Sequence, residues 1–227
     1  MPISAPLPQG AGRILVINPN SSLAVTSAID AGLQPLRIDG GPEIVVDRLS
    51  SGPPGIATQA DADSIVAPLA DWVRRDSADA FVLACFSDPG LHTVREAARG
   101  RPVMGIAEWG LLRALTLGER FGIIALSPGS VQRQQRYVRQ MALQDRYAGS
   151  WPVNASAEDT TGEGIREQLA EAGRHLVARL GADVIVLGCA GMASHRRALQ
   201  DLIERPVVEP TQQATAAAIG AVLLSGR

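Results

Sequence analysis

A chain of 227 residues, 46% of them apolar, is long enough to bury a sizeable core, either as one α/β domain or as two lobes. Its formal charge is only −2 and its basic residues are scattered, which excludes nucleic acid and membrane as expected partners and leaves a small molecule. No apolar run approaches the ~18 residues needed to span a bilayer, and residues 1–12 lack the basic start and apolar middle of a signal peptide.

The expectation is therefore a cytoplasmic protein with a flexible tail over residues 1–12. In that compartment Cys85 and Cys189, the only cysteines, read as free thiols, and two of them cannot complete a tetrahedral zinc site, so no metal is expected. Residues 13–17 form a β-rich run that stops at the polar loop Asn18-Pro19-Asn20-Ser21-Ser22. Asn and Ser suit such a loop because their side chains accept hydrogen bonds from free N–H groups and cap the helix expected over 23–33. A second strand over 42–49 and a Gly/Pro turn at 51–55 precede a helix over 60–75, whose continuity Pro68 puts in question. Then come a strand over 79–85, a helix over 91–98, a strand over 102–106 and a helix over 108–117. The second half starts with a strand over 121–126, a Ser-Pro-Gly-Ser turn and a polar helix over 131–143. A short strand at 151–154, a helix over 164–180 and a strand over 183–189 follow. A helix near 194–204, the strand 206–208 and a terminal helix over 211–224 complete the chain.

Both cysteines end an apolar run that begins with an acidic residue, Asp79 or Asp183, and both precede small or turn-forming residues. Pro102 follows Cys85 by 17 residues, Pro206 follows Cys189 by 17, and each proline is preceded by an arginine, Arg101 or Arg205. Order, spacing and the Arg-Pro pair agree, so the chain reads as an internal duplication. The expected fold is α/β, with two pseudosymmetric Rossmann-like lobes, mainly parallel sheets and the active site in the cleft between them. The first lobe covers residues 13–118 and the second 119–227, with the terminal helix 211–227 able to pack back onto the first. In open α/β sheets ligands bind at the carboxyl ends of the strands, and both thiols sit there.

A thiol moves protons well because its unperturbed pKa of ~8.5 lies near neutrality. Inverting a carbon without a cofactor needs a base on one face and an acid on the other, and one cysteine per lobe supplies the pair. A following helix start favours each thiolate by only ~0.3–1 kcal/mol, so other groups must set protonation. Backbone N–H groups of Phe86, Ser87, Ala190 and Gly191 are placed to hold an enolate oxygen, with Asn18 and Ser127 as side-chain donors, and for each of these a loop or helix-cap role is the equal alternative. His92 and His195 read as helix-surface residues and His175 as solvated. Asp88 reads as a cap on the helix after Cys85, and Glu108 and Glu209 as either cleft carboxylates or helix-terminal residues. No arginine lies near either cysteine motif in sequence, and no metal-ligand cluster, phosphate loop or serine triad is legible.

Four stretches taken together, residues 14–22 (ILVINPNSS), 84–91 (ACFSDPGL), 102–108 (PVMGIAE) and 187–192 (LGCAGM), resemble the hydantoin and allantoin racemases of the aspartate/glutamate racemase superfamily. The resemblance covers nearly the whole chain. It implies two lobes, no cofactor, a homo-oligomer, and a cysteine pair exchanging the ring α-proton of a 5-substituted hydantoin; Cys85 and Cys189 match the family's catalytic cysteines. Ala57, Ser87, Trp109 and the segment Leu126-Ser127-Pro128-Gly129-Ser130 depart from the family's pattern and imply an altered pocket. The amino-acid racemases of the superfamily carry different residues around their cysteines, and the arylmalonate decarboxylases lack the first cysteine. A maleate-isomerase-like or decarboxylase-like enzyme, or a non-catalytic small-molecule-binding protein, stands as the alternative.

Overall fold

Short apolar strands alternate with helices in both halves of the chain, and a computed structural model describes residues 12–225. The tail expected over 1–12 lies, except for Gly12, outside the described residues, as do residues 226 and 227. The first half contains β1 (Arg13–Asn18), α1 (Leu23–Gly32), β2 (Glu43–Arg48), α2 (Gln59–Ser64), α3 (Val66–Arg75), β3 (Ala80–Leu83), α4 (Leu91–Ala97), β4 (Val103–Gly105) and α5 (Ile106–Ala114). The second contains β5 (Phe121–Ala125), α6 (Pro128–Gln140), β6 (Tyr147–Pro152), α7 (Arg166–Leu180), β7 (Val184–Leu187), α8 (Arg196–Ile203), β8 (Val207–Val208) and α9 (Pro210–Leu224).

The strands form two four-stranded sheets in the same order, β2-β1-β3-β4 and β6-β5-β7-β8, with every pair parallel. Register repeats as well: Phe81 lies opposite Val103 and Ile185 opposite Val207, and Phe81 and Ile185 stand at the same offset from their cysteines. The duplication read from the spacing is thus a duplication of pairing. Side chains alternate along each strand. Ile14, Val16 and Val82 face a central core that also takes Ile123, Val184 and Val186 from the other sheet. Leu15, Ile17, Phe81 and Leu83 instead pack under α3 and α4, while Ile124, Ile185 and Leu187 pack under α7 and α8. Each sheet is buried on both faces, which is why its strands read as continuous apolar runs.

The middle layer interleaves the halves. Helix α5 runs against β7 and β8, whereas α9 returns to β1, β3 and β4 and packs along α5. Helix α1 lies against the 3-10 segment Ala190–His195 that follows Cys189. Among the described residues no helix is long and apolar enough to cross a membrane.

Local departures from the expected elements have local causes. The helix expected over 60–75 is two helices that meet at Ile65, because Pro68 has no N–H for the carbonyl of Ser64. Strand β6 is longer than the segment 151–154; its Gly149, Ser150 and Pro152 are tolerated at a sheet edge. Helix α5 begins directly at the end of β4, two residues before the expected start, because a side chain from another loop caps it.

Candidate active site

Strands β3 and β7 each end just before a cysteine, and Cys85 and Cys189 line one cavity. Both are free thiols; Cys189 is buried and Cys85 is half-buried. The Cys85 Sγ lies 3.4 Å from the Ser87 hydroxyl, and the Cys189 Sγ lies 3.9 Å from that of Thr160. Burial pushes the Cys85 thiol up to about 12; the Ser87 hydroxyl opposes this, while the nearby Cys189 and Asp88 add to it. Burial also raises Cys189, against the Gly191 N–H and the Thr160 hydroxyl, and Glu209 raises it further. Both thiols are therefore neutral at neutral pH.

The two buried carboxylates that raise the thiols hold helix starts. Asp88, at φ 43°, is 4% exposed and accepts hydrogen bonds from the Ala107 N–H (3.0 Å), the Glu108 N–H (2.8 Å) and the Tyr137 hydroxyl (2.6 Å). Burial raises it to about 6 despite those donors. Glu209 is fully buried and accepts from the Thr211 N–H at 3.0 Å and the Gln212 N–H at 2.6 Å, and burial raises it too. Asp88 was expected to cap the helix after Cys85. It caps α5 instead, and the residue before α4 is Gly90 in a left-handed conformation. Glu108 pairs with Arg95 at 2.6 Å, so both glutamates take the helix-terminal role.

Of the residues read as substrate-binding, Phe86, Ser87 and Ala190 line the cavity with the cysteines. Gly191 lies against the wall behind them, where a Cβ would come within 2.6 Å of the Thr160 hydroxyl, so only glycine fits. The Ser87 N–H donates to the Cys85 carbonyl at 2.8 Å, which closes the turn. Asn18 lies outside the lining: fully buried, it donates to the Asn20 side chain and to the Thr26 hydroxyl, both at 3.0 Å. It holds the loop, and Asn20 is the residue that reaches the cavity. Ser127 is also outside it, accepting from the Ser130 N–H at 3.2 Å as the cap of α6. It lines a neighbouring, mainly apolar pocket of about 910 Å³ between residues 53–57 and 155–158.

His195 corrects the surface reading. It is 1% exposed, with Nε2 3.0 Å from the Thr160 carbonyl, and so ties the segment after Cys189 to the turn that carries the Thr160 hydroxyl. His92 is exposed, and His175 stacks on Trp151 with ring centroids 3.6 Å apart. Three lining residues come from α6: Ser130, Arg133 and Gln134. The sequence reading placed no arginine near the cysteines, yet Arg133 shares their cavity because α6 of the second half crosses over the first. The available signal was the helical spacing of Ser130, Arg133, Gln134 and Tyr137, which puts all four on one face.

The profile of the family described as Asp/Glu/Hydantoin racemase matches residues 14–218. The chain belongs to that family. It is 35% identical to a hydantoin racemase of Paenarthrobacter aurescens over 93% of this chain and 92% of the relative, and 32% identical to one of Pseudomonas sp. (strain NS671) over 87% and 80%. Among solved structures, an allantoin racemase from Klebsiella pneumoniae superposes with a TM-score of 0.88 at 30% identity, covering 94% of this chain and 89% of that one. The protein is thus an isomerase of the racemase type, and this family member presents two thiols to a single cavity.

Proposed function

We propose that the enzyme inverts the ring α-carbon of a 5-substituted hydantoin or of allantoin, using Cys85 and Cys189 as a base and acid pair and no cofactor. The observation that carries this reading is the presence of both thiols in one cavity, each delivered by the equivalent strand of a matching sheet. The ring carbon between them is flanked by a carbonyl. One thiol first gives up its proton to solvent; the resulting thiolate takes the α-proton and becomes a thiol again, and the C–H electron pair moves into an enolate. The thiol on the other side then gives its proton to the opposite face and becomes the thiolate. Every proton and electron pair is accounted for, and the opposite enantiomer runs the same steps with the cysteines exchanged.

Incubation of single enantiomers of allantoin and of several 5-substituted hydantoins in deuterated water, with optical activity and ring deuterium followed together, tests the reading against the uncatalysed rate. Acceleration of both signals is the expected outcome. Cys85→Ser and Cys189→Ser each lower racemisation about 10³-fold or more, since a hydroxyl is a far weaker acid than a thiol. Either variant retaining full racemisation overturns the two-thiol mechanism, and an inactive wild type overturns the substrate.

A further inference from the structure

We infer that Arg133 is a catalytic residue that holds the negative charge developing on the substrate beside Cys85. The inference rests on the proposed racemisation and adds to it the group that stabilises the enolate. Arg133 is the only charged side chain among the residues lining the cavity; the other polar ones, Asn20, Ser87, Ser130 and Gln134, are neutral. Its guanidinium is half-buried and donates from Nη1 to the Ala57 carbonyl at 2.8 Å and from Nη2 to the Ser130 hydroxyl at 3.1 Å. Both acceptors are uncharged. Among the described residues Arg133 makes no ion pair, unlike Arg13, Arg37, Arg74, Arg95, Arg166 and Arg174.

Asp61 attracts Arg133 without forming an ion pair with it, so the half-buried cation has no contacting counter-charge, a costly state unless something else supplies one. In this cavity the reaction supplies it, because removing the α-proton leaves an anion where none existed. A guanidinium has more N–H donors than these two acceptors use, and it is held rigidly by them, so it is oriented before the charge appears. In the turn after Cys85 the Ser87 and Asp88 N–H groups both donate to the Cys85 carbonyl, which leaves fewer backbone donors for an enolate. Arg133 lines the same cavity as Cys85, and attraction between the cation and a Cys85 thiolate agrees with that placement.

The test compares wild type with Arg133→Gln, Arg133→Lys and Arg133→Ala in the racemisation and deuterium-exchange assay. Arg133→Gln is expected to lower kcat about 10²-fold with little change in KM, as for loss of one preorganised oxyanion donor. Arg133→Lys retains part of the rate, and added guanidinium ion restores part of it to Arg133→Ala, which a misfolded variant would not permit. A raised KM with unchanged kcat, or no change at all, overturns the inference while leaving the racemase reading intact. A second readout needs no turnover. In a Cys189→Ser background, where Cys85 is the only thiol, Arg133→Gln slows its alkylation by iodoacetamide about tenfold at fixed pH, one pKa unit's worth. An unchanged alkylation rate places the charge away from Cys85 and also overturns the inference.

Discussion

The two halves of the molecule solve one problem with different residues. In the first, Asp88 stands three residues after Cys85 and reaches across to cap α5 at Ala107 and Glu108. In the second, Met192 stands three residues after Cys189, and α9 is capped at Thr211 and Gln212 by Glu209 from its own start. Measured from the cysteines, the capped N–H groups occupy identical positions, and Glu209 aligns with Gly105. A Cβ at Gly105 would lie 2.2 Å from the Asp88 carboxylate, so the glycine is the space that the crossing carboxylate needs. What duplication preserved is a buried negative charge at a helix start beneath each thiol, raising the pKa of both. The residue carrying that charge was free to move.

The sharpest way to break the comparison is Gly105→Ala. Its methyl must displace the Asp88 carboxylate from two N–H groups, and a loss of about 1–3 kcal/mol in denaturant unfolding is expected, the range for an overpacked core. Transplanting the second half's solution, Asp88→Met with Gly105→Glu, is expected to be closer to wild type than Gly105→Ala alone. A neutral Gly105→Ala would mean that the two helix starts are not equivalent.

Next in size is a pH effect that Asp88 brings to the first half. Asp88 has a folded pKa of about 6 against an ordinary 3.8, so the folded state binds a proton more tightly than the unfolded state between those values. Stability must then rise, through this group, as pH falls from about 7 to about 4. Relative to Asp88→Asn, which has no such proton, wild type should gain up to about 3 kcal/mol across that window. Unfolding curves for both proteins at several pH values measure the difference, and a difference that stays flat or shrinks as pH falls contradicts the assignment.

Much of this was legible before the fold was known. The repeated strand-cysteine stretch and the repeated Arg-Pro spacing disclosed the duplication, because strand tips and register depend on local sequence. What could not be read was who crosses over. Arg133 entered the cavity, and Tyr137 met Asp88, only because α6 packs over the other half, which no local pattern encodes. Repetition of letters also overstated repetition of roles. Arg101 donates to the carbonyls of Val73, Asp76, Ala78 and Ala98 and lies over the Phe81 ring, whereas Arg205 is exposed and, among the described residues, its side chain bonds only the adjacent Glu204 carbonyl. Asn18 misled for a related reason: a polar residue at a strand tip can serve the ligand or the loop, and here Thr26 and Asn20 take its donors.

The smallest effect sharpens the comparison at the first loop of each half. Ser22 caps α1 by accepting from the Val25 N–H at 3.3 Å, and Ser127 caps α6 by accepting from the Ser130 N–H at 3.2 Å. Loss of either hydroxyl leaves one helix-start N–H without its acceptor, so Ser22→Ala and Ser127→Ala are each expected to cost about 1 kcal/mol in unfolding. Their effects on turnover should differ. Ser127 lines the apolar pocket beside the thiols and its hydroxyl lies 3.2 Å from that of Ser130, a residue that also lines the cavity of the two cysteines. Ser22 belongs to the Asn18 and Asn20 network on the opposite loop, where the Asn20 side chain accepts from its N–H at 2.9 Å whatever the side chain at 22. Equal stability losses with a larger rate loss for Ser127→Ala would mean that the caps are structural twins and only one of them borders the site. A stability loss confined to one variant would instead show that the halves have diverged even where they kept the same residue for the same bond.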